Sequence, residues 1–331
     1  MQSLPEHPRA DRAGFEALCA AHRPFVLRGQ IAHWPVVQAA ALGLEPALQA
    51  WAELATEAPV DALLGRPQDG RQFGLKPALD GFNFLHSKKP MSALLEAIWR
   101  YAQFPDPPAL ALQSAEVRLC LHDFEASHPM PLLDAAPRLW LGNRATVPAH
   151  FDSSYNLAVC VAGRRRFTLF APEQIANLYL GPLEQAPAQA PISLVNVQAP
   201  DFARFPKARE ALANAFSAEL QPGDAIFMPP LWVHSVESLE PFNGLVNYWW
   251  RPEAVAGAGS DNPSAALWLT MLSLRHLPAA ERRDWQQLFG LLAFDDGDWA
   301  HIPTERRGLL GEMDAEALRA WRARIRARLL D

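Results

Sequence analysis

The chain has 331 residues, half of them hydrophobic, which is enough for a sizeable core in one large domain or two smaller ones. Lys and Arg number 30 against 36 Asp and Glu, a formal net charge of −6. Composition therefore gives no general argument for nucleic acid, whose phosphates favour a basic face. Cys19, Cys120 and Cys160 form no CxxC pair, which argues against a zinc ribbon or a disulfide framework. The N-terminus lacks an apolar leader core, and no run of about 18 apolar residues follows. The expectation is a protein of the reducing cytoplasm with no membrane partner.

Along the chain, residues 11–22 read as a short helix, PFVLRGQI (24–31) as a strand and HWPVV as a turn. LEPALQAWAELA (44–55) is helical, and residues 71–86 carry two extended pieces around an Asp-Gly turn. Residues 91–104 predict an amphipathic helix, with Leu94, Leu95, Ile98 and Tyr101 at helical spacing. From about 109 to 252 the texture changes to short apolar runs between turns: ALALQ, RLCLHDF, RLWLGN, NLAVCVAG, RRFTLFAP, GDAIFMPP and GLVNYWW. Many short strands at this spacing predict a sandwich or barrel. Residues 201–216 read as a helix interrupting it, and EQAPAQAPIS (184–193) as an extended loop. Beyond 252 the pattern is helical again, ending in RAWRARIRARLLD, whose basic residues read as a solvated helix face. The organisation is a helical and strand segment over 1–108, a β core over 109–252 and a helical region over 253–331.

VPAHFDSSYN (147–156) poses the functional question. In a strand, His150 and Asp152 point to one face, and the interior of a small β-barrel can be lined by such side chains. A His from a neighbouring strand, His234 in PGDAIFMPPLWVHSVESL, completes three ligands. Two neutral imidazoles and one carboxylate leave open octahedral positions, which suits Fe(II) better than a closed zinc tetrahedron.

These residues resemble the cupin superfamily. His150-x-Asp152, Asn156 and Gly163 look like the first cupin motif, and Gly223, Pro229 and His234 like the second. The closest resemblance is to cupin-like Jumonji C hydroxylases, typified by the asparaginyl hydroxylase that acts on hypoxia-inducible factor. RPFVLRGQIAHWPVV, LDGFNFLHSKKPMSALLEAI and NYWW carry it further. It covers most of residues 20–252. The resemblance implies a mainly β fold with flanking helices, a double-stranded β-helix (cupin or jelly-roll) barrel. It implies Fe(II) held by His150, Asp152 and His234, with 2-oxoglutarate as cosubstrate and hydroxylation of a peptide or small molecule as the activity.

The family holds the far carboxylate of 2-oxoglutarate with a basic residue after Asn156. Aligning Gly163 to the family's turn glycine puts Arg165 there, while alternation sends Arg164 and Arg166 to the other face. Asn156 and Asn247 match polar residues near the cosubstrate. Trp249 and Trp250 read as packing, and His122 as a candidate for the mouth. Two departures stand out. Val147 occupies the position of a family Thr, and ALALQ offers no Tyr where the family has one. The rival reading is a non-catalytic metal-binding cupin, acting as a ligand sensor or an interaction protein. The apolar C-terminal helices also predict a homodimer.

Overall fold

The computed structural model of the protein describes residues 1–184, 191–251, 263–295 and 297–330. Most of the expected loop at 184–193, and the expected boundary after 252, lie outside the described residues. Two compact units divide the chain, Met1–Trp250 and Arg251–Asp331.

In the first unit the strands are β1 Gln2–Ser3, β2 Glu6–His7, β3 Phe25–Leu27, β4 Pro59–Gly65, β5 Phe84–Pro90, β6 Leu110–Glu116 and β7 Pro137–Gly142. They continue with β8 Ala145–His150, β9 Tyr155–Ala162, β10 Arg165–Phe170, β11 Phe216–Leu220, β12 Ala225–Met228, β13 Val233–Ser238 and β14 Asn243–Trp250. A five-stranded sheet runs β1-β11-β10-β13-β8, and a nine-stranded sheet runs β2-β3-β12-β9-β14-β7-β6-β4-β5. The expected cupin or jelly-roll fold is present, and since each sheet keeps two edges among the described residues it takes the form of a two-sheet sandwich.

Strand alternation explains the layering. In β9, Leu157, Val159 and Val161 join a core shared with the helices, while Ala158 and Cys160 join a core shared with the smaller sheet. In β14, Val246, Tyr248 and Trp250 face the helices and Leu245 faces the other sheet. Strands buried on both faces read as continuous apolar runs, as NLAVCVAG does. Helices α1 Arg12–Cys19, α2 Pro35–Ala41, α3 Leu44–Leu54 and α4 Met91–Tyr101 supply the outer layer through Phe15, Val36, Trp51, Leu94 and Ile98.

At Gly163 the chain leaves the large sheet for the small one, with φ +64°. A Cβ there would lie 2.5 Å from Asn243 Oδ1, so only glycine fits both the left-handed backbone and the space.

Several local expectations give way. HWPVV opens α2, because Pro35 sits in its first turn, where its missing N–H costs nothing. RLCLHDF forms two single-turn helices, α5 Val117–Cys120 and α6 Phe124–Ser127. The register of β6 shifts between Leu112 and Ala115, with Ser114 at φ +48°, just before the chain turns out of the sheet. In 201–216 only α7 Ala208–Ala213 is helical. Asp201 Oδ1 accepts from Ala203 N and Arg204 N, each at 3.0 Å, making a turn instead. Pro206 then disfavours a helical Phe205. Strand β4 was not foreseen at all.

The second unit contains α8 Pro263–Leu274, α9 Ala279–Phe289 and α10 Ala315–Leu330. Among the described residues no helix is long and apolar enough to cross a membrane. Leu267, Trp268, Leu269, Met271 and Leu272 of α8 are all exposed large apolar side chains. Water-facing apolar surface of this extent marks an interaction surface, and we propose that a second copy of the chain covers it. Light scattering at high concentration should then give twice the monomer mass; a monomer mass there would contradict the dimer.

Candidate metal and cosubstrate site

Between the sheets lies a cavity of about 600 Å³ lined by His150, Asp152, Asn156, Arg165, His234 and Asn247. All six sequence-derived site residues therefore reach one space. Its walls also include Trp140, Trp249, Phe167 and Met228, with Arg138, Gln113, Phe73 and Phe84.

His150 and His234 are direct cross-strand partners on β8 and β13. Their ring centroids are 4.4 Å apart. His150 Nδ1 lies 2.8 Å from Pro148 O, and His234 Nδ1 lies 3.0 Å from Trp232 O. A carbonyl oxygen only accepts, so both Nδ1 atoms carry the proton and both Nε2 atoms keep a free lone pair. Burial pushes the His234 imidazole down to about 4, and the neighbouring His150 adds to this against the pull of Asp152. His234 is therefore neutral at pH 7, the state a metal ligand needs.

Asp152 arrives differently from the strand argument. Strand β8 ends at His150, so Asp152 lies beyond it, and its backbone carbonyl accepts from Leu231 N at 2.8 Å. Its Oδ2 accepts from Asn156 Nδ2 at 3.0 Å and from Trp249 Nε1 at 3.2 Å. The same oxygen is 3.8 Å from His234 Nε2, too far for a hydrogen bond. As the side chains stand, no group of three His, Cys, Asp or Glu among the described residues is gathered tightly enough to hold a metal ion. The donor types and the tautomers suit a divalent ion such as Fe(II); the closing of all three donors is not seen.

Arg165 opens β10 and turns inward, 6% exposed. Arg164 and Arg166 turn outward to ion pairs with Glu219, Glu237 and Glu240. Among the described residues Arg165 has no such ion pair, and its buried Nε meets no acceptor. Burial alone lowers its guanidinium to about 10, so it stays charged at neutral pH. Asn247 Nδ2 donates to Asn156 Oδ1 at 2.8 Å, which continues the hydrogen-bond chain to Asp152.

A family model for the cupin-like domain matches residues 11–255. The chain belongs to the cupin-like Jumonji C family. Human HSPB1-associated protein 1 is 40% identical over 115 residues, 34% of this chain and 22% of that protein. Lysine-specific demethylase JMJ31 of Arabidopsis thaliana is 31% identical over 113 residues, 34% of this chain and 20% of that protein. Human tRNA wybutosine-synthesizing protein 5 is 33% identical over 102 residues, 31% of this chain and 29% of that protein. The matched stretches thus span less than a third of each relative.

Two residues of this cupin-like site escaped the sequence reading. Trp249, expected as packing, donates to Asp152; Trp250 does pack, stacked on Tyr155 at 5.6 Å. The signal was present, because the two-residue period that selects Asn247 on β14 also selects Trp249. Trp140 had no such signal, because no residue of β7 was among the sequence-derived site residues. His122, expected near the mouth, is exposed and does not line the cavity. Ala111 and Val147 do line it, so the absent hydroxyls leave apolar wall.

The Asn247–Asn156 bond is testable by itself. Asn247→Ala would leave Asn156 Oδ1 buried without a donor and should cost about 1–3 kcal/mol in urea unfolding. A double-mutant cycle with Asn156→Ala should show the two changes to be non-additive; additive losses would mean that the pair does not interact.

Proposed function

We propose that this protein is an Fe(II)- and 2-oxoglutarate-dependent dioxygenase that hydroxylates a protein side chain or a small molecule. The observation that carries the reading is Arg165, a buried guanidinium without a counter-ion in the same cavity as two imidazoles with free Nε2 atoms. A planar guanidinium grips a carboxylate with two parallel hydrogen bonds.

Distance supports a dicarboxylate. Leu169 pairs with His234, and Arg165 lies four positions earlier on the same strand. Four strand residues span about 13 Å. That span, less the length of an arginine side chain, suits a five-carbon diacid reaching from the guanidinium to the imidazoles. Phe167, between them on the same face, gives its methylene groups an apolar floor.

In this reading His150, Asp152 and His234 hold Fe(II), Arg165 takes the far carboxylate, and Asn156 and Asn247 line the acid. The bound metal and cosubstrate would supply the oxygen chemistry. The chain's own residues bind, orient and shield. Trp249 and Asn156 steady the Asp152 carboxylate, while Met228, Phe167 and Val236 keep the acid's surroundings dry. Relatives named for a demethylase and for a tRNA-modifying protein act, by their names, on different substrates, so the substrate stays a peptide or small molecule of unnamed kind.

An anaerobic Fe(II) titration with and without 2-oxoglutarate tests the proposal. A visible metal-to-ligand band should appear only with both, and oxygen should then release succinate. His150→Ala or His234→Ala should remove most bound iron with the fold intact by circular dichroism, and Asp152→Gly should weaken it less. Stoichiometric iron retained without either His would refute the site. A band without succinate would instead support the non-catalytic sensor.

A further inference from the structure

Arg165 is not the only group in the cavity that lacks a partner. Among the described residues, Trp140 Nε1 is a buried donor with no acceptor, and Asn247 Oδ1 is a buried acceptor with no donor. Leaving an indole N–H dry and unbonded is unfavourable, and buried Trp N–H groups usually find a partner.

The register locates Trp140. It stands opposite Leu245 of β14, and Leu245 stands opposite Cys160 of β9. The three form one row on the inner face of the large sheet. Arg165 approaches this row from the small sheet: it opens β10 two residues after the Gly163 crossover, and Cys160 Sγ reaches Gly163 O at 3.3 Å. Trp140 also packs in the inter-sheet cluster that holds Phe167 and Val147. The Trp140 backbone and Arg165 therefore lie toward the same end of the cavity, and the indole ring centroid lies 6.2 Å from that of Trp249 along the cavity wall.

A carboxylate has about four lone-pair directions, and a bidentate arginine uses two of them. The remaining ones need donors once water is excluded. Ala111 and Val147 line this wall without a hydroxyl. We propose that the Trp140 indole N–H donates to the distal carboxylate of the bound 2-oxo acid and shares it with Arg165. The inference rests on the 2-oxoglutarate reading above and adds to it a residue that discriminates dicarboxylates from monocarboxylates.

Trp51 provides an internal control. Its Nε1 also lacks an acceptor, but it is stacked on Phe124 in the helix-side core and does not line the cavity. Trp140→Phe removes the N–H while keeping an aromatic ring beside Trp249, whose centroid lies 6.2 Å away.

The experiment is calorimetric titration of the full chain, iron-loaded and free of oxygen, with 2-oxoglutarate and with 2-oxobutyrate, which lacks the distal carboxylate. Trp140→Phe should weaken 2-oxoglutarate about tenfold and leave 2-oxobutyrate unchanged, which also reports that the site is still folded. Trp51→Phe should leave both unchanged. Equal loss of both acids would assign Trp140 to packing and overturn the proposal. So would unchanged 2-oxoglutarate affinity in Trp140→Phe, as expected if the N–H meets only water. A wild-type protein that binds 2-oxobutyrate but gains nothing from the second carboxylate would overturn the 2-oxoglutarate reading together with it.

Discussion

The burial of the Arg165 charge without a counter-ion is the constraint around which the interior is arranged. Moving an unpaired cation out of water costs several kcal/mol even after relaxation, and the shift of this guanidinium to about 10 reflects that cost. Its neighbours, the exposed Arg164 and the half-buried Arg166, are paired with Glu219, Glu237 and Glu240. Three consecutive residues thus comprise two cations with carboxylate partners and one whose buried Nε has no acceptor among the described residues. An anion that fits the cavity would recover the difference, and this is what the proposed function assigns to the acid cosubstrate.

The layering makes that arrangement tolerable. Helices α1 to α4 and the outer face of the large sheet form the larger apolar core, through Trp34, Trp51, Leu94, Ile98 and Val246. The inner face is thereby released to carry Asn156, Asn247, Trp140 and Trp249 in alternate positions, with Ala158, Cys160 and Leu245 filling the gaps. The smaller sheet answers with the row Leu169–His234–His150 at one end and Arg165 at the other. Imidazoles and guanidinium are held apart by strand β10, which in the proposed function would set the length of the acid.

How far the sequence reveals this depends on whether local periodicity controls the feature. Arg165 could be selected from three consecutive arginines because strand alternation after Gly163 is a local rule. His150 and His234 could be paired because each sits within a strand. Asp152 could not be placed by that rule, since β8 stops at His150 and a backbone bond from Leu231, distant in sequence, positions it. Trp249 was misread because a large aromatic among apolar strands looks like core, and its indole partner belongs to another loop. HWPVV reads as a turn because Pro is equally at home in a turn and in the first turn of a helix, and RLCLHDF reads as a strand although β6 shifts register and ends before it, at Glu116. The open edges of both sheets are a topological property that no segment displays alone.

The most direct measurement is the affinity of the oxygen-free, iron-bound protein for 2-oxoglutarate in Arg164→Ala, Arg165→Ala, Arg165→Lys and Arg166→Ala. A charge-assisted contact worth about 1.5–3 kcal/mol means a loss of roughly ten- to a hundred-fold in Arg165→Ala. Arg165→Lys should recover part of it as a point charge, and the two outward arginine variants should match wild type. Unchanged affinity in Arg165→Ala would contradict the account, because the buried charge would then have another purpose than holding this acid.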